Sequence, residues 1–145
     1  PNKKMIRIFI DANILVSVLN RKYPVFTYSS GILSLSNTGR FRLFTSPISL
    51  AIAFYFSGKK HRSATAKQKI KLLSAHIEIA ESSPNAVQKT LSNPAIKDFE
   101  DGLESYAAIE NKCNCIITED KDDFYFSDIE VLDCQQFFLK YMNKK

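Results

Sequence analysis

Three groups of carboxylates, far apart along the chain, have the type and setting to hold a hard cation. Asp11 directly follows the apolar run MIRIFI (5–10) and is the only acid in the first 77 residues. Asp98 and Asp101 stand three apart on one side of a helical stretch, and Glu104 continues that side one turn later. Glu119, Asp120, Asp122 and Asp123 place four acids within five residues after the apolar CIIT (115–118). Such oxygen donors select Mg²⁺ or Mn²⁺ over zinc. His61 and His76 sit in basic, helical surroundings away from the acids. Cys113 and Cys115 have the spacing of neither a redox pair nor a zinc knuckle, and read as small apolar residues of a reduced, intracellular core. A hard divalent cation held by carboxylates supports metal-assisted hydrolysis of a phosphate ester. Each group also has a purely structural reading. Asp11 can cap a helix starting at Ala12, Asp98 can cap one with Asp101 in its first turn, and the late run can be wet surface.

The elements that must position these acids follow from periodicity and punctuation. Residues 5–10 read as a strand buried on both faces, and 12–19 as a helix beginning right after Asp11. A helix over about 25–36 closes at Asn37 and Gly39, and a strand covers 41–45. Ser46 and Pro47 then have the types of an N-cap and first helical residue for 48–56, with Gly58 as the stop. Residues 64–76 form an amphipathic helix with Ile70, Leu72 and Leu73 on its apolar side. A short strand is expected at 77–80, and a helix at 85–91 opened by Ser83-Pro84. The helix over 97–111 is the clearest, with Phe99, Leu103, Tyr106 and Ala107 as its stripe and Gly102 allowing close packing against the sheet. Strands at 115–118 and 129–132 and a helix at 135–141 complete the chain. Strands alternating with helices imply right-handed crossovers and a parallel sheet covered on both faces, an α/β class. In such sheets function sits beyond the carboxyl ends of the strands, where all three acidic groups map.

Charge divides the chain. Residues 1–72 hold 13 Lys and Arg against one acid, whereas 73–145 hold 7 Lys against 14 acids, with a net charge of +5. A basic face draws polyanions and an acidic cluster draws divalent cations, the pairing expected of a phosphodiester-cutting enzyme. The composition is that of one soluble domain, with no run long enough to span a bilayer, and a cytoplasmic location is expected.

The segments IFIDANIL, TSPISLA, DFEDGLESYAA and IITEDKDDF, in that order, resemble the PIN-domain family over about residues 5–142. The resemblance implies a single three-layer α/β/α sandwich with a central parallel sheet, and leaves residues 1–4 as a basic N-terminal extension. It further implies an acidic pocket for Mg²⁺ or Mn²⁺ and cleavage of single-stranded RNA, often as the toxin of a toxin–antitoxin pair. On this pattern Asp11, Asp101 and Asp120 are the core carboxylates and Asp123 a further ligand or water-holder. Asp98 assists, and Asn13, Ser46 and Thr118 line the pocket. RNA backbone would meet Lys3-Lys4, Arg40, Arg42, the Lys59-Lys60-His61-Arg62 run, and Lys67, Lys69 and Lys71. The partners expected are RNA, an antitoxin protein and a second copy of the chain.

One departure counts against activity. The family often carries a Glu in the helix after the second strand, where this chain offers Ala51 and Ala53. The alternative is therefore a catalytically weakened module that binds RNA or a protein partner. A dehalogenase-type phosphatase also begins with a strand and Asp, but needs a second Asp where this chain has Asn13.

Overall fold

The computed structural model describes residues 5–60 and 62–142. The expected N-terminal extension with Lys3-Lys4, and His61, lie outside the described residues. Strand β1 (Ile6–Ile10) is apolar apart from Arg7 because both its faces are covered along its second half: Ile8, Phe9 and Ile10 have no exposed surface. It pairs in parallel with β2 (Phe41–Thr45), Ile8 opposite Leu43, and with β4 (Cys115–Ile117), Ile8 opposite Cys115. Outside these lie β3 (Glu78–Ile79) and β5 (Glu130–Leu132), giving the all-parallel order β3-β2-β1-β4-β5. The chain steps outward from β1 to β3, then returns to place β4 on the other side of β1. That reversal opens a crevice beyond the carboxyl ends of β1 and β4.

Alternate residues of β1 serve two cores. On one side Ile8 and Ile10 join Leu43 and Ile117 against Ile14 and Leu15 of α1 (Ala12–Leu19), Ile32 of α2 (Val25–Ser34) and Phe137 of α7 (Cys134–Tyr141). On the other, Phe9, Phe44 and Ile116 pack with Ala107 and Ala108 of α6 (Phe99–Glu110). Helices α3 (Pro47–Lys60) and α4 (Ser63–Ser74) join the first layer through Ala53 and Leu73, and α5 (Pro84–Ser92) packs on α6. The result is a three-layer α/β/α sandwich. Among the described residues no helix is long and apolar enough to cross a membrane.

Four local expectations are corrected. Gly58 does not stop α3, which runs on to Lys60. Packing on α1 outweighs the roughly 1 kcal/mol cost of a helical glycine, and Lys60 Nζ donates to the Asn20 carbonyl at 2.6 Å. In α4 the buried side is Ala66 and Leu73 with Ile70 beside them, at i, i+4 and i+7, while Leu72 is 63% exposed. Helix α2 ends at Ser34, and a 3-10 turn over Leu35–Asn37 carries the chain onward. Gly102 is crowded by α5 and the loop after it, not by the sheet: a Cβ there would lie 2.4 Å from Thr90 Cγ2 and 2.8 Å from Ile96 Cγ2.

Candidate metal centre

Asp11 leaves β1 in extended conformation and caps α1, so its expected capping role and its place at the sheet edge coincide. Its Oδ1 accepts from the Ala12 N–H at 2.8 Å. Its Oδ2 accepts from the Thr118 hydroxyl at 2.8 Å and from Asn13 Nδ2 at 3.3 Å. Thr118 sits beside it because β4 is the parallel neighbour of β1, with Ile117 opposite Ile10. Asn13 Nδ2 also donates to Asp120 Oδ2 at 3.0 Å, and the Asp120 N–H donates to Thr118 Oγ1 at 3.0 Å. Two uncharged side chains thus hold Asp11 and Asp120 together, and among the described residues neither carboxylate is in an ion pair with a cationic side chain. A 3-10 turn over Lys121–Phe124 follows, in which the Asp123 N–H donates to the Asp120 carbonyl, turning the chain back toward the same crevice.

Helix α6 supplies the opposing wall. Asp98 is its N-cap, accepting from the Asp101 N–H at 3.1 Å. Oxygens of Glu100, Asp101 and Glu104 lie within 4.8 Å of one another. Burial, with Asp98, Asp123, Asp11 and Glu100 adding repulsion, pushes the Asp101 carboxyl up to about 7. Glu100 is raised by burial and by Asp98. Asp123 is raised by its own desolvation and then by Asp120. Glu104, one turn on from Asp101 on the same side of α6, is fully buried. Burial and the adjacent Asp11 hold its carboxyl well above the usual range. Burial also raises Asp11, opposed by hydrogen bonding with Glu104 and by donors from Thr118 and Ala12.

Asp11, Asn13, Glu100, Asp101, Asp120 and Asp123 line one cavity of about 300 Å³, closed on its apolar side by Val16, Ile52 and Phe56, with Lys22 at its edge. Of the residues expected there, Asp98, Ser46 and Thr118 do not line it. Asp98 is spent on its cap, Thr118 braces the carboxylates from behind, and Ser46 caps α3 by accepting from the Ser49 N–H at 3.0 Å. Ser49 in turn donates its hydroxyl to Glu104. The α3 residues facing the cavity are Ile52 and Phe56, not Ala51 or Ala53, which are exposed and in the core respectively. The sequence placed Glu104 beside Asp98 and Asp101 without giving it a role of its own, and did not single out Glu100 or Lys22. The i, i+1, i+4 spacing of Glu100, Asp101 and Glu104 is the one signal that could have marked the two glutamates.

The basic residues are scattered. Arg40 lies just before β2, at the opposite end of the sheet, and Arg42 pairs with Glu78 through Nε and Nη2. Lys59 sits 4.5 Å over the Tyr55 ring, and Arg62 is exposed before α4. His76 Nδ1 meets Ser36 Oγ at 3.2 Å, away from the acids. Burial pushes the Cys113 and Cys115 thiols up to about 12, so neither offers a thiolate. The donors that converge are all oxygens, and Glu104 Oε2 is buried beside the Asp11 carboxyl with no N–H or hydroxyl donor among the described residues. That set fits a hard divalent cation and no softer one.

Solved structures similar to this fold include a chain of VapBC2 from Rickettsia felis bound to a DNA fragment from their promoter. It has a TM-score of 0.66 at 18% identity, covering 88% of this chain and 98% of that one. PAE2754 from Pyrobaculum aerophilum aligns with a TM-score of 0.64 at 13% identity, over 99% of this chain and 100% of that one. VapC20 from Mycobacterium tuberculosis, a sarcin-ricin loop cleaving toxin, aligns with a TM-score of 0.59 at 11% identity, over 75% and 86%. No curated protein matches the sequence. The sequence does match the PIN domain family over residues 7–122, more than half its length, and the chain belongs to that family.

Proposed function

We propose that this protein is a metal-dependent endoribonuclease acting on single-stranded RNA, the toxin of a toxin–antitoxin pair, built as one domain over residues 5–142. The observation that carries this reading is the convergence of Asp11, Asp101, Asp120 and Asp123 on one cavity at the carboxyl edge of the central strands. Asp11, Asp101 and Asp120 would hold the cation, Mg²⁺ or Mn²⁺. When bound, the ion supplies Lewis acidity toward the phosphate and lowers the pKa of an attacking water. The chain's own residues do the positioning. Thr118 and Asn13 fix the carboxylates of Asp11 and Asp120 before substrate arrives, so little reorganisation accompanies reaction. Asp123 orients water at the rim, Lys22 draws the phosphodiester in, and Ile52 and Phe56 keep one wall dry. Lys59, Lys60 and Arg62 are retained as RNA-backbone contacts on this reading, whereas Arg40 and Arg42 are remote or paired and are set aside.

RNA as substrate and an antitoxin as partner rest on likeness to the sarcin-ricin loop cleaving toxin and to the toxin–antitoxin complexes of similar fold. The test is incubation of the protein with mixed RNAs in Mg²⁺, Mn²⁺ or EDTA beside Asp11→Asn. Cleavage in metal that vanishes in EDTA and in the variant is expected. Equal cleavage by Asp11→Asn removes the mechanism. A second reading, a weakened module that binds RNA or a partner without cutting, is favoured by the apolar Ile52 at the cavity wall. It predicts RNA binding with no cleavage in any metal.

A further inference from the structure

We infer that Glu104 of α6 is the inner carboxylate of the cation site, joining Asp11 and Asp101 in holding the ion; this rests on the reading of the cavity as a divalent-cation site. Glu104 has no exposed surface. One of its oxygens takes the Ser49 hydroxyl, and the other, Oε2, finds no donor among the described residues, its neighbour being the Asp11 carboxyl, which could donate only if one of the two acids kept a proton. A carboxylate withdrawn from water without a partner is among the costliest groups a protein interior can contain. The surrounding α6 positions give no reason for an acid, since Leu103, Ser105, Ala107 and Ala108 beside it are small or apolar and buried.

The counter-charge is not a basic side chain. Among the described residues lining the cavity Lys22 is the one cation, and it is exposed. What remains is either a proton shared with Asp11 or a bound cation. Geometry favours the cation. The Glu104 carboxylate lies within 4.8 Å of those of Glu100 and Asp101 and against Asp11, a cluster wider than one proton can serve and of the size a single hard ion bridges. From the other side of the site α3 contributes no acid, because the residues it turns inward are Ile52 and Phe56. One turn earlier Ser49, itself fully buried, is aimed at Glu104. Helix α3 therefore acts on the site by orienting a carboxylate of α6. The arrangement accounts for Ser49, for the unpartnered oxygen and for an apolar α3 wall in one stroke.

The experiment is Mn²⁺ titration of the full chain by calorimetry, with free Mn²⁺ followed by electron paramagnetic resonance, for wild type, Glu104→Gln and Ser49→Ala. Melting in EDTA checks folding. Glutamine is the near-isostere of a protonated glutamate, so a proton-sharing, purely structural Glu104 would tolerate it with unchanged Mn²⁺ affinity. As a ligand, its replacement weakens Mn²⁺ by roughly 10-fold or more, the scale at which even supporting partners of metal sites act. Ser49→Ala reproduces part of that loss without touching a carboxylate, and it carries the test if Glu104→Gln does not fold. Adding Ile52→Glu to Glu104→Gln, which returns a carboxylate from the facing helix, regains affinity. Wild-type binding with Glu104→Gln and Ser49→Ala both unchanged overturns the assignment alone, whereas a wild type that takes up no Mn²⁺ removes the cation site itself.

Discussion

At the residue scale the site depends on a few uncharged atoms. The Thr118 hydroxyl donates to Asp11, accepts from Asn13 Nδ2 at 2.9 Å and accepts from the Asp120 N–H. Thr118→Val keeps the shape and removes all three bonds at once. Leaving the Asp11 carboxylate, the Asn13 amide and the Asp120 backbone N–H each short of a partner in a buried place costs about 1–3 kcal/mol. We expect a correspondingly lower melting temperature, with cleavage falling further than stability as Asp11 and Asp120 lose their fixed spacing. Unchanged kinetics with an unchanged melt would mean the hydroxyl is incidental. Asp11 itself was legible in the sequence because it stands alone in an acid-free half of the chain. Glu104 was not. Its spacing from Asp101 was visible, but the same spacing serves a solvated helix face, and only the sheet's placement beneath α6 decides that this face turns inward. Lys22 is likewise invisible among 20 basic residues until α1 and α2 bring it to the rim.

At the element scale two glycines in helices should respond oppositely. Gly58 lies inside α3 with nothing within 4 Å of where a methyl would stand and no positive φ. Gly58→Ala therefore stabilises by about 0.5–1 kcal/mol, the ordinary helix-propensity difference. Gly102→Ala gains the same propensity but drives its methyl to 2.4 Å from Thr90 Cγ2. Forcing α5 from α6 costs about 1–3 kcal/mol, which outweighs the gain. Chemical denaturation of the two variants checks both signs, and a stable Gly102→Ala would show that α5 is free to retreat. Element identity was well marked in the sequence wherever caps and periodicity agreed: α1 begins right after Asp11, and α5 opens at Ser83-Pro84. It failed where tertiary packing overrode local cost, as when α3 continues through Gly58 so that Lys60 can reach Asn20. Leu72 misled for a related reason, since an apolar type does not guarantee an inward direction, and Ala66, Ile70 and Leu73 define the buried side.

At the scale of the whole molecule, the division into a basic and an acidic half correctly announced an acidic cluster, but the basic half does not fold into one face. Arg42 is absorbed by Glu78, Arg40 lies at the far end of the sheet, and the acids alone converge. The consequence is a metal-free protein strained by its own site. Asp101 has a folded-state value of about 7 against 3.8 for a free carboxyl, and Asp11, Glu100 and Glu104 are shifted in the same direction. A raised carboxyl pKa means the folded state holds the proton more tightly than the unfolded chain does. Its stabilising effect is complete below about pH 4 and is lost as the pH rises through about 7, the reverse of a salt-bridged aspartate. The Arg42–Glu78 pair has the opposite sign, because Glu78 is lowered by its hydrogen bonds to Arg42, so its contribution fades only under more acidic conditions. In EDTA the protein should therefore melt a few degrees higher at about pH 5.5 than at about pH 8. Millimolar Mn²⁺ should abolish most of that difference by stabilising the pH 8 state, since a cation that binds only the folded chain replaces the lost protons. Calorimetric melts at the two pH values, with and without Mn²⁺, measure this directly. A melting temperature that is flat or rises from pH 5.5 to 8 in EDTA would show that these carboxylates are not crowded as the fold arranges them.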